Sequence, residues 1–153
     1  MTKGTTDRRP AREGGLLISQ IFQLSGRIFA RMMREAGLAH ITPEQGRILF
    51  ILWQQDDISI RELAKRTMLS KSTLTAILDR LEGSGHVVRV FSNEDRRKIL
   101  IRLTEKDREL QETYTRLSDD MIALCYMGFG EKEIDMMEQS LKKVLENLKG
   151  IEK

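Results

Sequence analysis

Hydroxyl and guanidinium groups gathered between residues 70 and 98 are the side chains of this sequence best equipped for chemistry. Ser70, Lys71, Ser72, Thr73 and Thr75 stand within six positions, Arg80 follows, and Arg96, Arg97 and Lys98 form a basic run. Ser and Thr hydroxyls both donate and accept, so they can bond bases or phosphates, and a Thr methyl can touch thymine. Arginine is drawn to the negative potential of a narrow minor groove. This set suits the reading of a duplex nucleic acid. It does not suit bond breaking: there is no Gly-rich phosphate loop, nucleophile elbow or metal-ligand cluster. No catalytic residue, cofactor or metal is expected, and the chain does not read as an enzyme. His40 and His86 are the only histidines, and neither has a cysteine or carboxylate at metal-ligand spacing.

The elements that must position these groups follow one another from Ser59 to Leu103. Ser59-Ile60-Arg61-Glu62 reads as a capping box opening a short helix with Leu63 and Ala64. Ser70 is the N-cap of a second helix, which carries Leu74, Ile77, Leu78 and Leu81 and stops at Gly83-Ser84-Gly85. At about 100° per residue Ile77, Leu78 and Leu81 fall within about 60° of Leu74, leaving the hydroxyl-rich first turn on another face. Val87 to Phe91 and Lys98 to Leu103 read as two strands around the polar tip Ser92 to Arg97, with Ile99, Ile101 and Leu103 on one face. Asp95 is expected to pair with a nearby arginine and to fix the shape of this tip. Two short helices followed by a basic hairpin outline a winged helix-turn-helix, over about residues 43–103. Protein contact without sequence-specific DNA binding is the alternative use of such a module.

The flanks read as helices. Residues 1–13 form a flexible basic arm, and 14–153 a single domain. Its terminal helices, over about 14–36 and 104–150, are expected to mediate dimerisation. Leu16 to Met33 carries apolar residues on more than one face, and Gly37 ends it. Thr42-Pro43-Glu44-Gln45 starts the next helix, which continues through Ile48, Leu49, Leu52 and Trp53. Leu110, Tyr114, Leu117, Met121 and Leu124 are spaced four, three, four and three, a coiled-coil-like seam. A helix from Thr104 to Met127 would span about 35 Å, more than a small winged module needs. The last helix, from Glu131, repeats the pattern from Ile134 to Ile151. A second copy of the chain is the expected partner of these faces. The fold class is mainly α, within α+β.

Charge agrees with this division. Residues 59–103 hold ten Lys/Arg against five Asp/Glu, whereas residues 104–153 hold eight against twelve. Positive charge concentrated on the reading module suits a polyanion. With 153 residues the chain can bury a sizeable core without a disulfide. Its single cysteine, Cys125, fits a reducing cytoplasm. The polar start shows no secretory signal, and the longest apolar run, Ile48 to Trp53, is too short for a membrane span, so no membrane partner is expected.

Ser70-Lys71-Ser72-Thr73-Leu74-Thr75, Leu78-Asp79-Arg80-Leu81-Glu82, Gly85, Asp95-Arg96-Arg97 and Leu103-Thr104 together resemble the multiple antibiotic resistance regulator (MarR) family of transcription factors. The resemblance runs from about Leu16 to the C-terminus. It implies a homodimer with interlocking terminal helices, bound to a pseudo-palindromic double-stranded DNA operator. It also implies a repressor released by a small, often aromatic or phenolic, ligand near the helix–wing junction. Ala76 stands where many members carry arginine, which shifts expected affinity toward the wing. Ser92-Asn93 replaces the usual Asp-Pro, and His86 a common apolar residue. Phe22, Ser25, Phe29 and Trp53 are candidate pocket residues. Oxidant-sensing members place a cysteine near the start of the first helix, where this chain has none. Cys125 therefore reads as a packed, inert thiol.

Overall fold

Thr42, Ser59 and Ser70 cap three helix starts in the computed structural model of the chain, which describes residues 11–105 and 108–152. The elements are α1 (Gly14–Glu35), α2 (Pro43–Gln54), β1 (Ile58–Ser59), α3 (Ile60–Thr67), α4 (Lys71–Gly83), β2 (Val87–Phe91), β3 (Ile99–Leu103), α5 (Arg108–Cys125) and α6 (Glu131–Lys149). The arm expected over residues 1–13 lies, up to residue 10, outside the described residues. So does part of the segment Thr104 to Asp107 that was to open the long helix.

The start of α2 is closed reciprocally: the Thr42 N–H donates to Gln45 Oε1 at 2.9 Å and the Gln45 N–H to Thr42 Oγ1 at 3.2 Å. At α3 only half of the expected box is described, with Ser59 Oγ accepting from the Glu62 N–H at 3.1 Å. Between α3 and α4 the turn passes through Met68 at φ 56°, a left-handed conformation that a side chain disfavours. Gly85, at φ 81°, turns the chain from α4 into β2 at no such cost. The His86 N–H closes that turn on the Leu81 carbonyl at 2.9 Å.

The sheet is antiparallel in the order β1-β3-β2, so β3 is central. Ile58 and Arg89 flank Ile101, and Phe91 is opposite Ile99. The two-residue β1 was not legible as a strand; Gln54 to Asp57 read simply as a polar connection. It is fixed from outside, because the Leu103 N–H donates to Asp56 Oδ1 and Arg102 grips Asp57 through two bonds of 2.6 and 3.0 Å.

Two units divide the chain, meeting between Leu117 and Ser118. In the first, Ile48, Leu49 and Leu52 of α2, Leu63 of α3, Leu74, Leu78 and Leu81 of α4 and Ile101 of β3 are completely buried. Burying each such side chain contributes about 1.5–3 kcal/mol. Met33, Leu110, Tyr114 and Leu117 extend this core. In the single chain the N-terminal half of α1 exposes Leu16, Leu17, Ile18, Ile21, Phe22 and Leu24.

Within the second unit, the Tyr126 hydroxyl donates to Glu138 Oε1 at 2.8 Å across the turn, and Gly128 takes φ 85°. No residue of α6 is buried. The described part of the long helix, α5, runs over 18 residues, about 27 Å, and ends at Cys125, two residues before the expected Met127. Cys125, its last residue, is exposed rather than packed, as are Ile122, Ala123 and Leu124 before it, because no described element covers this end of α5.

Candidate nucleic-acid interface

A reading helix needs one face in the core and the other in solvent, and α4 has both. Leu74, Ile77, Leu78 and Leu81 are buried, while Ser70, Lys71, Ser72, Thr73, Asp79 and Arg80 are exposed and Thr75 is half-buried. Some of the hydroxyls are already engaged. Ser70 Oγ accepts from the Thr73 N–H at 3.2 Å and donates to Thr73 Oγ1 at 2.8 Å, which makes Ser70 first a helix cap. Thr73 still has its own hydroxyl proton to donate outward. Thr75 Oγ1 donates to the Lys71 carbonyl at 2.8 Å, leaving its methyl and an oxygen lone pair.

The wing tip is built by Ser92 and Asp95. The Ser92 N–H donates to the Lys98 carbonyl and the Lys98 N–H to the Asp95 carbonyl, both at 2.9 Å, closing the loop without a glycine. Ser92 Oγ accepts from the N–H groups of Glu94 and Asp95. Asp95 Oδ1 accepts from the Arg97 backbone N–H at 3.0 Å and from Arg97 Nε at 3.2 Å. These bonds from Arg97 hold the Asp95 carboxyl below its ordinary pKa, so it stays ionised. The expected pairing of Asp95 with a nearby arginine is thus present. Arg97 remains 92% exposed, and Arg96 and Lys98 are exposed beside it.

Two ion-pair sites were missed in the sequence. Arg89, in β2, bonds Asp79 and Glu82 of α4. Burial works against the Arg89 charge, but these two carboxylates raise its pKa beyond the ordinary value. Arg102, near the end of β3 remote from the tip, is held by Asp57. A lone charge on an inward-facing strand position, opposite Ile101, was the available signal for Arg89.

The proposed pocket residues do not converge. Phe29 and Trp53 do meet, but around Tyr114, at ring-centroid distances of 5.3 and 5.5 Å, with Phe50 at 6.3 Å. Phe22 lies two turns earlier on α1, 57% exposed, with the Arg47 guanidinium 5.8 Å from its ring centroid. Ser25 bonds the Phe22 carbonyl of its own helix. Helical periodicity puts Phe22 and Phe29 on one face but not at one depth. Phe50 and Tyr114 complete the aromatic cluster with Phe29 and Trp53. The His40 and His86 rings stack, their centroids 6.1 Å apart. Among the described residues no three His, Cys, Asp or Glu side chains could hold a metal ion together. No described helix is long and apolar enough to cross a membrane.

A helix and a wing that present hydrogen-bond donors and positive charge, on a helix-turn-helix core, define a winged helix-turn-helix regulator. Comparison with known proteins carries this further. A model of the MarR family matches residues 41–99. The organic hydroperoxide resistance transcriptional regulator of Bacillus subtilis (strain 168) is 30% identical over 109 residues, 71% of this chain and 73% of that protein. The HTH-type transcriptional regulator TtmR of Methylorubrum extorquens is 41% identical over 85 residues. That match takes in 54% of this chain and less than half, 43%, of TtmR. Among solved structures, a mutant MarR from E. coli complexed with operator DNA is similar with a TM-score of 0.75 at 28% identity. The similarity covers 86% of this chain and 92% of that one. The chain belongs to the MarR family; it is a DNA-binding transcriptional regulator and not an enzyme.

Proposed function

We propose that the protein is a homodimeric repressor that holds a pseudo-palindromic operator and releases it when a small aromatic or phenolic ligand binds. The observation that carries this reading is the pairing of a basic, hydroxyl-rich interface with apolar helix faces left uncovered in one chain. Leu16 to Leu24 of α1 and Met136, Leu141, Val144, Leu145 and Leu148 of α6 expose too much apolar surface for a solitary chain. A second copy covers such faces symmetrically and presents two reading modules. Ser70, Lys71, Ser72, Thr73, Thr75 and Arg80 meet the major groove, Ser70 chiefly as the cap that sets the helix start. Arg96, Arg97 and Lys98 meet the minor groove and flanking phosphates. The half-buried rings of Phe29, Phe50 and Trp53, packed around the buried Tyr114, are the surface proposed to meet a flat ligand. Work on an operator places the protein in the cytoplasm.

The test is in vitro selection of duplexes from a random library, followed by binding and footprinting. Affinity is expected to fall about 10³- to 10⁵-fold between 50 and 200 mM salt if six to ten phosphates are neutralised. Protected half-sites are expected about 10 bp apart, centre to centre. Salt-insensitive binding would favour the protein-contact alternative. The bound duplex is then challenged with a panel of phenols and aromatic carboxylates; failure of every one to displace it would remove the ligand-release half of the proposal.

A further inference from the structure

Arg89 joins the two parts of the interface. Its Nη2 donates to Asp79 Oδ1 at 2.7 Å, its Nη1 donates to Glu82 Oε2, and its backbone N–H points to Glu82 Oε1 at 3.4 Å. Asp79 and Glu82 are three residues apart and so share one face of α4. On the strand side Arg89 pairs with Ile101 of the central strand, which is completely buried. The guanidinium is thus rooted beside the buried centre of the sheet and forks onto the reading helix. We propose that Arg89 is a positioning residue that locks α4 to the wing, fixing the spacing between the bases read by α4 and the minor groove reached by Arg96 and Arg97.

The fork matters for physical reasons. One point of attachment lets a helix rotate or slide against a strand, whereas a planar guanidinium shared between two carboxylates one turn apart resists both. The charges also act directly. Asp79, 63% exposed, and Glu82, 39% exposed, would repel phosphates if left unpaired. Arg89 offsets one of the two charges and the exposed Arg80 beside them the other, so the second half of α4 lies along the duplex without net repulsion. The first turn, Ser70 to Thr75, is left as the end that reaches base edges. Arg89 spends its guanidinium on the protein, with a side chain only 23% exposed, and is not itself a phosphate contact.

The inference rests on the DNA-reading function proposed above, and the experiment separates the two. Full-length protein carrying Arg89→Met, which keeps the stem and loses the fork, is compared with Arg89→Lys and wild type. The probes are duplexes selected from a random library by the wild type, and derivatives with one base pair inserted between the major-groove half-site and its flanking minor-groove tract. Wild type is expected to lose about 10- to 100-fold on the shifted duplexes, the cost of one or more misplaced base contacts. Arg89→Met is expected to bind the parent duplex more weakly yet lose less than about threefold on shifting, well below that cost. Arg89→Lys, with charge but one attachment point, is expected to fall between them. Thermal unfolding checks that each variant is folded; if Arg89→Met is not, the Asp79→Asn/Glu82→Gln double variant gives the same readout. A variant that is uniformly weaker but as sensitive to the shift as wild type would overturn the lock. If wild type selects no duplex at all, the DNA-reading function falls, and the lock with it.

Discussion

Arg97 and Asp95 divide the labour of the wing tip. Asp95 takes the Arg97 backbone N–H and Nε, which leaves the outer guanidinium nitrogens directed to solvent. Arg97→Ala is expected to cost about 1–3 kcal/mol of DNA binding, with the thermal unfolding midpoint unchanged. Wild-type affinity in a binding titration would show that the wing does not touch the duplex. Asp57 works on stability instead. It takes φ 54° and accepts two bonds from Arg102, which hold its pKa below the ordinary 3.8. A lowered carboxyl pKa stabilises the fold above its unfolded value and loses that contribution as pH falls through the folded value. Asp57→Asn, which tolerates the same backbone, is therefore expected to be less stable than wild type at neutral pH. The difference should shrink as pH drops below about 4, as followed by urea unfolding across pH. A gap that stays constant down to acid pH would mean that the Asp57 charge contributes nothing.

At the scale of elements, the junction of α2 and α5 depends on a missing side chain. Gly46 of α2 lies against the ring of Tyr114, and an added Cβ would overlap the Tyr114 Cε2 atom. That ring is buried and boxed in by Phe29, Phe50 and Trp53, so it has little room to yield. Alanine would gain up to about 1 kcal/mol of helix propensity. Overpacking in a filled core costs about 1–3 kcal/mol or more, and here it is expected to win. Gly46→Ala should lower the midpoint of thermal unfolding; a raised midpoint would show that the Tyr114 ring gives way. The same junction explains how two helices distant in sequence share one aromatic cluster.

Along the chain, the concentration of basic charge and the longest exposed apolar stretches fall in different segments. The basic module is the middle of the chain, and the exposed apolar residues of α1 and α6 lie on either side of it in sequence. If α6 pairs with a second copy, Val144→Glu together with Leu148→Glu is expected to convert a dimer into a monomer in sedimentation experiments. Operator affinity should then fall about 10²- to 10⁴-fold, because the second module no longer binds at high effective concentration. A dimer that survives both substitutions would place the interface elsewhere.

Helix positions, their caps, the turn at Gly85 and the basic hairpin were all legible in the amino-acid sequence. The helices and caps depend on residues within about four positions of one another, and the hairpin on strands joined by one short polar tip, where helical or alternating periodicity fixes which side chains meet. The hydroxyl-rich start of α4 and the Asp95–Arg97 pair belong to the same local class. What escaped the sequence lies further apart. Arg102 meets Asp57 across 45 positions, and β1 exists only because β3 comes to lie beside it. Arg89 reaches Asp79 ten positions away through a turn whose angle only the packed core sets. Phe22 and Phe29 share a helix face, yet only packing shows that Phe29 reaches Tyr114 while Phe22 stays at the surface. The sequence by itself determined that a helix and a wing are present to read DNA. The tertiary structure decided how they are held together, because burial and side-chain partnership between distant segments are settled by the core and not by spacing along the chain.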